Sequence, residues 1–271
     1  MDILRLDLIH PEVSGNKWFK LKYNLQHIQA EGYKGLLTFG GAYSNHLTAT
    51  AAAAKAFGVP CVGIVRGDEL HSGANESLRF CADAGMELRF VTRAEYDLKY
   101  EEAYWDEWRA AYPDYFIVPE GGNNALGKLG TREIAQMIPE EYDTVAVSVG
   151  TGTTLAGLLD SVANSTKVLG FAPMKKGAYI AESICTKHTN WDIVDSYHFG
   201  GFGKHTAILV SFMNAFFQQT GIPLDKVYTA KMLYGVIDMV QRGIIDRNHR
   251  ILVVHTGGLQ GNNTIKEQLL Y

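Results

Sequence analysis

Short runs of apolar residues alternate along this chain with longer segments in which apolar residues recur every three or four positions. The short runs are nearly continuous, as in strands that are buried on both faces of a parallel sheet, and the longer periodicity is that of amphipathic helices. The pattern predicts strands at 35–39, 60–65, 87–91, 116–118, 144–149, 167–171 and 251–255. It predicts helices at 18–31, 45–57, 76–84, 96–112, 127–137, 154–164, 206–221, 231–242 and 264–270.

The order of these elements predicts an α/β fold with two parallel sheets. Residues 35–118 form one series of strand–helix units, and residues 144–171 with the strand near 251 form another. The polar turn at 119–124 separates them. A cleft between two parallel-sheet domains would bring the strand-end loops of both halves face to face, and ligands of open α/β sheets bind in such crevices.

Composition narrows the class of protein without naming it. The 271 residues are 46% hydrophobic and 20% charged, which is ordinary for a globular chain. The net charge of −4 and the lack of a long basic run argue against nucleic acid and anionic membranes as partners. The three cysteines show neither metal-ligand nor disulfide spacing. With no signal peptide pattern and no run of about 20 apolar residues, a cytoplasmic location is expected.

The segment from residue 145 to residue 160 is the most informative. It reads as a buried strand, then Gly150-Thr151-Gly152-Thr153-Thr154, then the start of a helix. Backbone N–H groups that converge in such a turn, with the positive end of a helix dipole and threonine hydroxyls, form an anion site that suits phosphate. The spacing matches neither a P-loop nor the dinucleotide fingerprint. A tight turn with a threonine cap is the plainer alternative.

A lysine at the start of a helix is the second candidate for chemistry. Lys17 follows Ser14-Gly15-Asn16 and precedes Lys20, although a helix N-terminus favours acidic residues. Local rules tend to be broken at functional sites. Burial and a positive neighbour would both lower the pKa of Lys17 and make its amine a usable nucleophile or base. A surface lysine that keeps its charge in water is the alternative.

Two further glycine turns follow strands. In the first, Gly40-Gly41 is followed by Ser44 and Asn45, which suit either a helix N-cap or a carboxylate site. In the second, His255 precedes Thr256-Gly257-Gly258, which indicates close approach of the backbone to a ligand or a helix. Tyr228 could stack on a planar ligand, and a core aromatic followed by a capping threonine is the alternative.

Taken together, these features match one cofactor. Pyridoxal 5′-phosphate (PLP) needs its phosphate anchored, its aldehyde held by a lysine and its ring supported. The sequence contains no zinc-binding H-E-x-x-H, no nucleophile elbow G-x-S-x-G and no acidic metal cluster, so no metal is predicted.

At these motifs the chain resembles the 1-aminocyclopropane-1-carboxylate deaminase/D-cysteine desulfhydrase family. Members are PLP enzymes of the tryptophan-synthase-β-like fold (fold type II), and the resemblance runs from about Leu4 to the C-terminus. Five motifs in the same order carry it: Ser14-Gly15-Asn16-Lys17-x-x-Lys20-Leu21, Gly40-Gly41-x-x-Ser44-Asn45, Thr151-Gly152-Thr153-Thr154-x-Ala156-Gly157, Val227-Tyr228-Thr229-x-Lys231 and His255-x-Gly257-Gly258.

The resemblance implies a role for each motif. Lys17 would be the Schiff-base lysine and Lys20 a phosphate contact, while Ser44 would bind the substrate carboxylate or move a proton. Tyr228 would stack on the ring and belong to the catalytic set. The remaining implied contacts divide into cofactor contacts (Asn45, Gly150, Thr151, Gly152, Thr153, Thr154, Thr229 and Thr256) and substrate contacts (Ser44, Asn45, His46 and Phe202).

One position separates the two activities of the family. Thr229 falls where members place the partner of the pyridine nitrogen. Cyclopropane deaminases of the family have Glu there and Leu in the later glycine turn, whereas this chain has Thr229 and Thr256, similar to the desulfhydrases. A hydroxyl stabilises a protonated ring less than a carboxylate does. The weaker electron sink is expected to suffice for α-proton removal and β-elimination of thiolate.

Three departures from the family pattern accompany this resemblance. His46 stands where members usually have Gln, and Phe202 lies where they carry an active-site tyrosine, whose hydroxyl Tyr197 or His198 would have to replace. Relatives usually have extra residues before the segment equivalent to Leu4–Ile9, so we expect either that the large domain lacks an element or that the gene start is short.

The sequence therefore predicts a two-domain PLP enzyme. Residues 22–122 would form a small domain inserted in a larger one made of 1–21 and 123–271. The predicted reaction is β-elimination on a small amino acid, most simply D-cysteine to pyruvate, sulfide and ammonia, by a homodimer. The alternatives are deamination of 1-aminocyclopropane-1-carboxylate, another D- or L-amino acid, binding without turnover, and an α/β protein for a different phosphorylated metabolite.

Overall fold

The computed structural model describes residues 1–139 and 141–271. The strands are β1 Asp2–Arg5, β2 Gly35–Gly41, β3 Cys61–Arg66, β4 Met86–Val91, β5 Tyr115–Val118, β6 Thr144–Ser148, β7 Lys167–Phe171, β8 Trp191–Val194 and β9 Ile251–His255. The α-helices are α1 Asn16–Glu31, α2 Asn45–Phe57, α3 Glu76–Asp83, α4 Arg93–Asp97, α5 Glu102–Ala111, α6 Ala125–Arg132, α7 Thr153–Leu159, α8 Ala207–Thr220 and α9 Thr229–Gln241.

The strands form two sheets in which every pairing is parallel. One has the order β4-β3-β2-β5 and the other the order β1-β9-β6-β7-β8. The predicted α/β class with two parallel sheets is confirmed. Two compact units contain these sheets: residues 10–130 form the first unit, and residues 1–9 with 131–271 form the second unit. The division into a small domain of residues 22–122 and a large PLP-binding domain of residues 1–21 and 123–271 stays a prediction.

The first unit buries its sheet on both faces. Along β2, Leu36 packs in a cluster with residues of α1 and α2, while Leu37 and Phe39 pack in a second cluster with Tyr96 and Tyr104. Successive strand residues point to opposite faces, which explains why this strand is buried on both sides and mostly apolar.

The second unit packs α8 and α9 against its sheet, and the contacts join apolar residues of β6, β7 and β9 to one face of each helix. The edge strands β1 and β8 were not predicted. Both are only four residues long and none of their residues is fully buried, so they lack the continuous apolar run that marks a central strand. Among the residues that the structure describes, no helix has both the length and the apolar character to cross a membrane.

The prediction of one helix over residues 96–112 was wrong. Two helices occupy this range: α4, which begins at a capping box between Thr92 and Glu95, and α5. Between them, the indole N–H of Trp105 donates to the carbonyl of Lys99 at 2.7 Å. A side chain therefore satisfies a carbonyl that a continuing helix would have paired with a backbone N–H.

Two other predicted helices are partly 3₁₀. The segment predicted at 127–137 is α6 followed by a 3₁₀ helix over Glu133–Met137. The C-terminal segment is a 3₁₀ helix over Gln260–Gln268 with a non-helical Ile265. There the Asn262 side chain accepts from the N–H of Lys226 and donates to the carbonyl of Leu224, both at 2.9 Å. Such side-chain bonds compete with regular helix bonds.

Candidate active site

Two lysine amines lie together near the start of α1 in the first unit. The helix follows Gly15, which has φ 68°, and no side chain caps it. Lys17 is partly exposed, Lys20 is buried, and their amines are close enough to hydrogen-bond to each other. Lys17 is therefore partly shielded from water.

The surroundings lower the pKa of both amines, and they lower that of Lys20 more. Burial lowers the pKa of Lys17 to about 8, although the hydrogen bond with Lys20 and the charge of Glu120 raise it. Burial lowers the pKa of Lys20 well below its usual value, and the charge of Lys17 lowers it further. These directions favour the neutral form for Lys20, as the acceptor, and the protonated form for Lys17, as the donor. Near pH 8 Lys17 becomes an unprotonated amine, the form that attacks a carbonyl.

Glu120 is a residue of this site that the sequence reasoning missed. It lies in the polar turn after β5, and its carboxylate accepts from the Tyr96 hydroxyl at 2.7 Å. The same turn contacts Lys20: a Cβ on Gly122, which has φ +70°, would be 3.0 Å from the Lys20 Cβ. The bond from Asn124 to Asn24 at 2.7 Å fixes the turn to α1. A Gly-Gly-Asn-Asn run two residues after a strand was the available signal.

Ser44 is the N-cap of α2, as the plainer interpretation of that motif proposed. Its hydroxyl oxygen accepts from the N–H groups of His46 and Leu47, both at 3.2 Å. Both of these are accepted bonds, so the hydroxyl still has its own proton to donate. Capping and substrate binding are therefore compatible. Asn45 is the first residue of α2 and is partly buried.

His46 is buried beneath the start of α2, and its hydrogen bonds define its protonation. The Thr38 hydroxyl donates to the carbonyl of Val118 at 2.7 Å and lies 2.8 Å from His46 Nε2. Because Thr38 has a single hydroxyl proton, Nε2 must carry the proton of that second bond, and Nδ1 keeps a lone pair without a partner. Burial and the charges of Lys17 and Lys20 lower the pKa of His46 well below its usual value. His46 is thus a neutral residue close to the lysine pair.

In the second unit, the Gly-Thr turn joins β6 to α7, as the sequence predicted. Gly152 has φ 85° and precedes α7, and the hydroxyls of Thr151 and Thr153 are 3.0 Å apart. Gly157 lets α7 approach Thr131, because a Cβ there would be 2.2 Å from the Thr131 hydroxyl. That hydroxyl donates to the carbonyl of Thr153 at 3.1 Å and holds the first turn of the helix.

Tyr228 borders this turn. A Cβ built on Gly150 would be 3.3 Å from the Tyr228 hydroxyl oxygen. The ring of Phe202 lies edge-on to the ring of Tyr228 with a centroid distance of 5.9 Å, and 57% of Phe202 is exposed. The second unit therefore brings together Gly150, Tyr228 and Phe202, three residues that were predicted from separate motifs.

Thr229 and Thr256 are both buried. Thr229 begins α9, and its hydroxyl is bonded to Asp225: it accepts from the Asp225 N–H at 2.8 Å and donates to the Asp225 carboxylate at 3.0 Å. Thr256 follows His255, whose Nε2 donates to the carbonyl of Pro223 at 2.8 Å and whose Nδ1 accepts from Gly257 at 3.2 Å. Asp225 was not singled out by the sequence reasoning.

Lys231 was noted in the sequence only as part of a motif. Its buried ammonium donates to three carbonyls, those of Pro173 at 3.2 Å and of His198 and Gly201 at 2.9 Å each. It thereby fixes the loop that bears Phe202. Tyr197 does not replace the hydroxyl that Phe202 lacks, because its own hydroxyl donates to Asp238 at 2.6 Å.

These groups suit PLP chemically. The lysine pair offers an amine that loses its proton near pH 8. The turn at 150–154 offers threonine hydroxyls and the first N–H groups of a helix, which are the usual phosphate donors. Tyr228 offers an aromatic ring beside that turn.

Comparison with known proteins agrees with this chemistry. Residues 3–257 match the family model described as pyridoxal-phosphate dependent enzyme. A Pyrococcus horikoshii protein with the provisional name 1-aminocyclopropane-1-carboxylate deaminase is 30% identical, with 99% of this chain and 87% of the relative covered. The D-cysteine desulfhydrase of Klebsiella pneumoniae is 28% identical, with 94% and 86% covered. The crystal structure of an ACC deaminase homologue matches with a TM-score of 0.84 and 28% identity over 98% of this chain and 88% of that one.

The chain belongs to the family of pyridoxal-phosphate dependent enzymes. Within that family it groups with the 1-aminocyclopropane-1-carboxylate deaminases and D-cysteine desulfhydrases. The predicted fold type II, the PLP cofactor and the enzyme class are thereby confirmed, and small amino acids are the substrates of the group. The individual roles predicted for the site residues stay predictions.

Proposed function

We propose that this enzyme catalyses β-elimination on a small amino acid, with D-cysteine as substrate and pyruvate, sulfide and ammonia as products. The observation that supports it most directly is the hydroxyl of Thr229 at the start of α9, at the position where the deaminases of the family have a carboxylate. Thr256 in the later glycine turn points the same way, and a relative of this chain is named D-cysteine desulfhydrase.

In this proposal each unit has a separate task. In the first unit, Lys17 holds the cofactor aldehyde and takes the α-proton, Lys20 contacts the phosphate and Asn45 bonds the ring oxygen. Ser44 donates its free hydroxyl proton to the substrate carboxylate, and His46 borders the substrate. In the second unit, the turn at 150–154 holds the phosphate and Tyr228 supports the ring, while Phe202 lies on the substrate side. The bound cofactor supplies the electron sink that makes the α-proton acidic.

The first test loads the purified protein with PLP. The wild type should develop the absorbance band of a lysine-bound cofactor, and Lys17→Ala should not. Lys22→Ala, on the same helix, is the matched control and should keep the band. If the wild type develops no band, or if Lys17→Ala keeps it, the assignment of Lys17 is wrong.

The second test measures pyruvate from D-cysteine, L-cysteine, cysteate and D-serine. Fastest release from D-cysteine is expected. Bound cofactor without pyruvate from any of the four would contradict the elimination and support binding without turnover.

Deamination of 1-aminocyclopropane-1-carboxylate is the second candidate, because the Pyrococcus relative carries that name. Its product is 2-oxobutyrate, so a keto-acid assay that separates this product from pyruvate distinguishes the two reactions. Thr229→Glu should raise the deaminase activity if the ring partner decides the outcome. Greater turnover of the cyclopropane substrate than of D-cysteine by the wild type would favour this candidate over the first.

A further inference from the structure

Asp225 is a buried acid without a role in the reaction proposed above. Its side chain lies just before α9 and is completely inaccessible to solvent. The carboxylate accepts from the N–H groups of Val227 at 2.8 Å, Tyr228 at 3.0 Å and Thr229 at 2.8 Å, and from the Thr229 hydroxyl at 3.0 Å.

These contacts favour the charged form of Asp225, whereas burial disfavours it. Burial raises the pKa of Asp225, and the hydrogen bonds from Thr229, Val227 and Tyr228 offset only part of that rise. All four partner groups are donors to the carboxylate. A protonated carboxyl group would place its own proton close to a donor proton, which is unfavourable. The N-terminus of α9 adds the positive end of its dipole.

The same contacts determine what Thr229 can offer a ligand. A backbone N–H can only donate, so the hydroxyl oxygen of Thr229 must accept from Asp225 N. Its single proton is directed to the Asp225 carboxylate. One lone pair of that oxygen is then left. Thr229 can therefore accept a hydrogen bond from a ligand, and cannot donate one without giving up its bond to a buried carboxylate.

We propose that Asp225 is a positioning residue that acts through Thr229 to favour the protonated pyridine ring of the cofactor. This inference rests on the proposed function, in which Thr229 faces the ring nitrogen. A neutral ring nitrogen needs a donor and finds none in Thr229, whereas a protonated one donates to the remaining lone pair. The Asp225–Thr229 pair thus does part of what a glutamate in direct contact would do, and the ring is a stronger electron sink than an isolated threonine would make it.

The test is solid-state NMR of the enzyme loaded with PLP that carries ¹⁵N in its ring. In the wild type the nitrogen signal should lie toward the protonated position. Asp225→Asn keeps the size of the side chain and one acceptor oxygen but removes the charge, so the signal should move toward that of unprotonated pyridine. The protonated fraction falls about tenfold for each unit by which the nitrogen pKa drops.

Threonine variants provide an independent readout if Asp225→Asn folds poorly. Thr229→Val should shift the signal in the same direction, and Thr229→Ser, which restores the hydroxyl, should bring it back. Asp238→Asn is the matched control, since Asp238 lies on the same helix and accepts from Tyr197 and Arg242. It should leave the signal in place.

Activity adds a second measurement. Asp225→Asn should slow turnover of D-serine, which has the poorer leaving group, by a larger factor than turnover of D-cysteine. The proposal is overturned if cofactor-loaded wild type and Asp225→Asn, or wild type and Thr229→Val, give the same nitrogen signal. Failure of the wild type to bind PLP would instead overturn the proposed function, so the two failures are distinguishable.

Discussion

At the scale of single residues, the site depends on which hydrogen-bonding capacity is already used. The Thr229 hydroxyl is used in both directions by Asp225, and the Tyr197 hydroxyl is used by Asp238. Ser44 differs, because its oxygen only accepts and its proton is available. All three residues carry a hydroxyl that can donate and accept. Their contacts show which of these hydroxyls still has a proton to donate to a ligand.

Ser44 allows its two roles to be separated. Ser44→Ala should lower the free energy of unfolding by about 1 kcal/mol, because an N-cap is lost. Ser44→Asn should keep stability near that of the wild type, because asparagine caps helices about as well as serine. Both variants should lose most of the activity if the hydroxyl binds substrate.

Urea unfolding and pyruvate release measure the two effects. Full activity in Ser44→Asn would show that Ser44 is only a cap. Thr92→Ala, which removes the cap of α4 in the same unit, is the control. It should be destabilised by a similar amount with activity unchanged.

At the scale of elements, the loop after β8 depends on one buried cation. Lys231, on α9, donates to carbonyls of His198 and Gly201 in this loop and of Pro173 after β7. The loop contains Phe199 with φ 48° and three glycines with positive φ, Gly200, Gly201 and Gly203. Positive φ is costly for Phe199 but not for the glycines. The Lys231 ammonium offsets this cost by satisfying the carbonyls that point inward.

Lys231→Met should therefore loosen this loop. Each buried carbonyl that loses its partner costs about 1–3 kcal/mol, and the methionine supplies no donor. Amide hydrogen exchange should accelerate in residues 198–204, while β2 and β3 of the first unit should exchange at the wild-type rate. Unchanged exchange in the loop would show that Lys231 does not hold it.

The boundaries of some helices cannot be predicted from the pattern of apolar residues. The break between α4 and α5 depends on the Trp105 indole bonding to Lys99, and no periodicity records such a bond. The strand from Lys167 to Phe171 was predicted with its bounds intact, because every residue after the first is buried. Patterns therefore predict buried elements well and breaks that depend on side chains poorly.

At the scale of the whole molecule, buried ionisable groups give stability a defined pH dependence. Lys17 and Lys231 have pKa values of about 8 when folded, against 10.5 as the ordinary value. Between those values the unfolded chain binds more protons, so the free energy of unfolding rises with pH. Cys61 and Cys81 act in the opposite direction, because burial raises their pKa from 9.0 to about 12.

Lys20, whose pKa burial also lowers, adds to the rise. Stability should therefore rise from pH 8 to about pH 9 and rise less steeply above pH 9, where the two thiols begin to oppose the lysines. Urea midpoints measured under reducing conditions at pH 7, 8, 9 and 10 test this. Lys17→Met should weaken the rise, whereas Lys34→Met, which changes an exposed lysine paired with Asp114, should not. A steady fall from pH 8 to pH 9 would contradict the assignment.

The sequence by itself determined the α/β class, seven of the nine strands that the structure describes and the motifs that point to PLP. These features depend on local chemistry: continuous apolar runs, glycine turns after strands, and a lysine where a helix normally starts with an acid. Five motifs in the order found in one family then carried the assignment to 1-aminocyclopropane-1-carboxylate deaminases and D-cysteine desulfhydrases.

Only the tertiary structure decided how the functional groups are protonated and what each is free to do. The neutral Nε2–H form of His46 depends on Thr38 and Val118, and the acceptor role of Thr229 depends on Asp225. The physical reason is that burial and hydrogen bonding act through space. A pKa or a spare lone pair is a property of what surrounds a residue, and that environment exists only after the chain has folded.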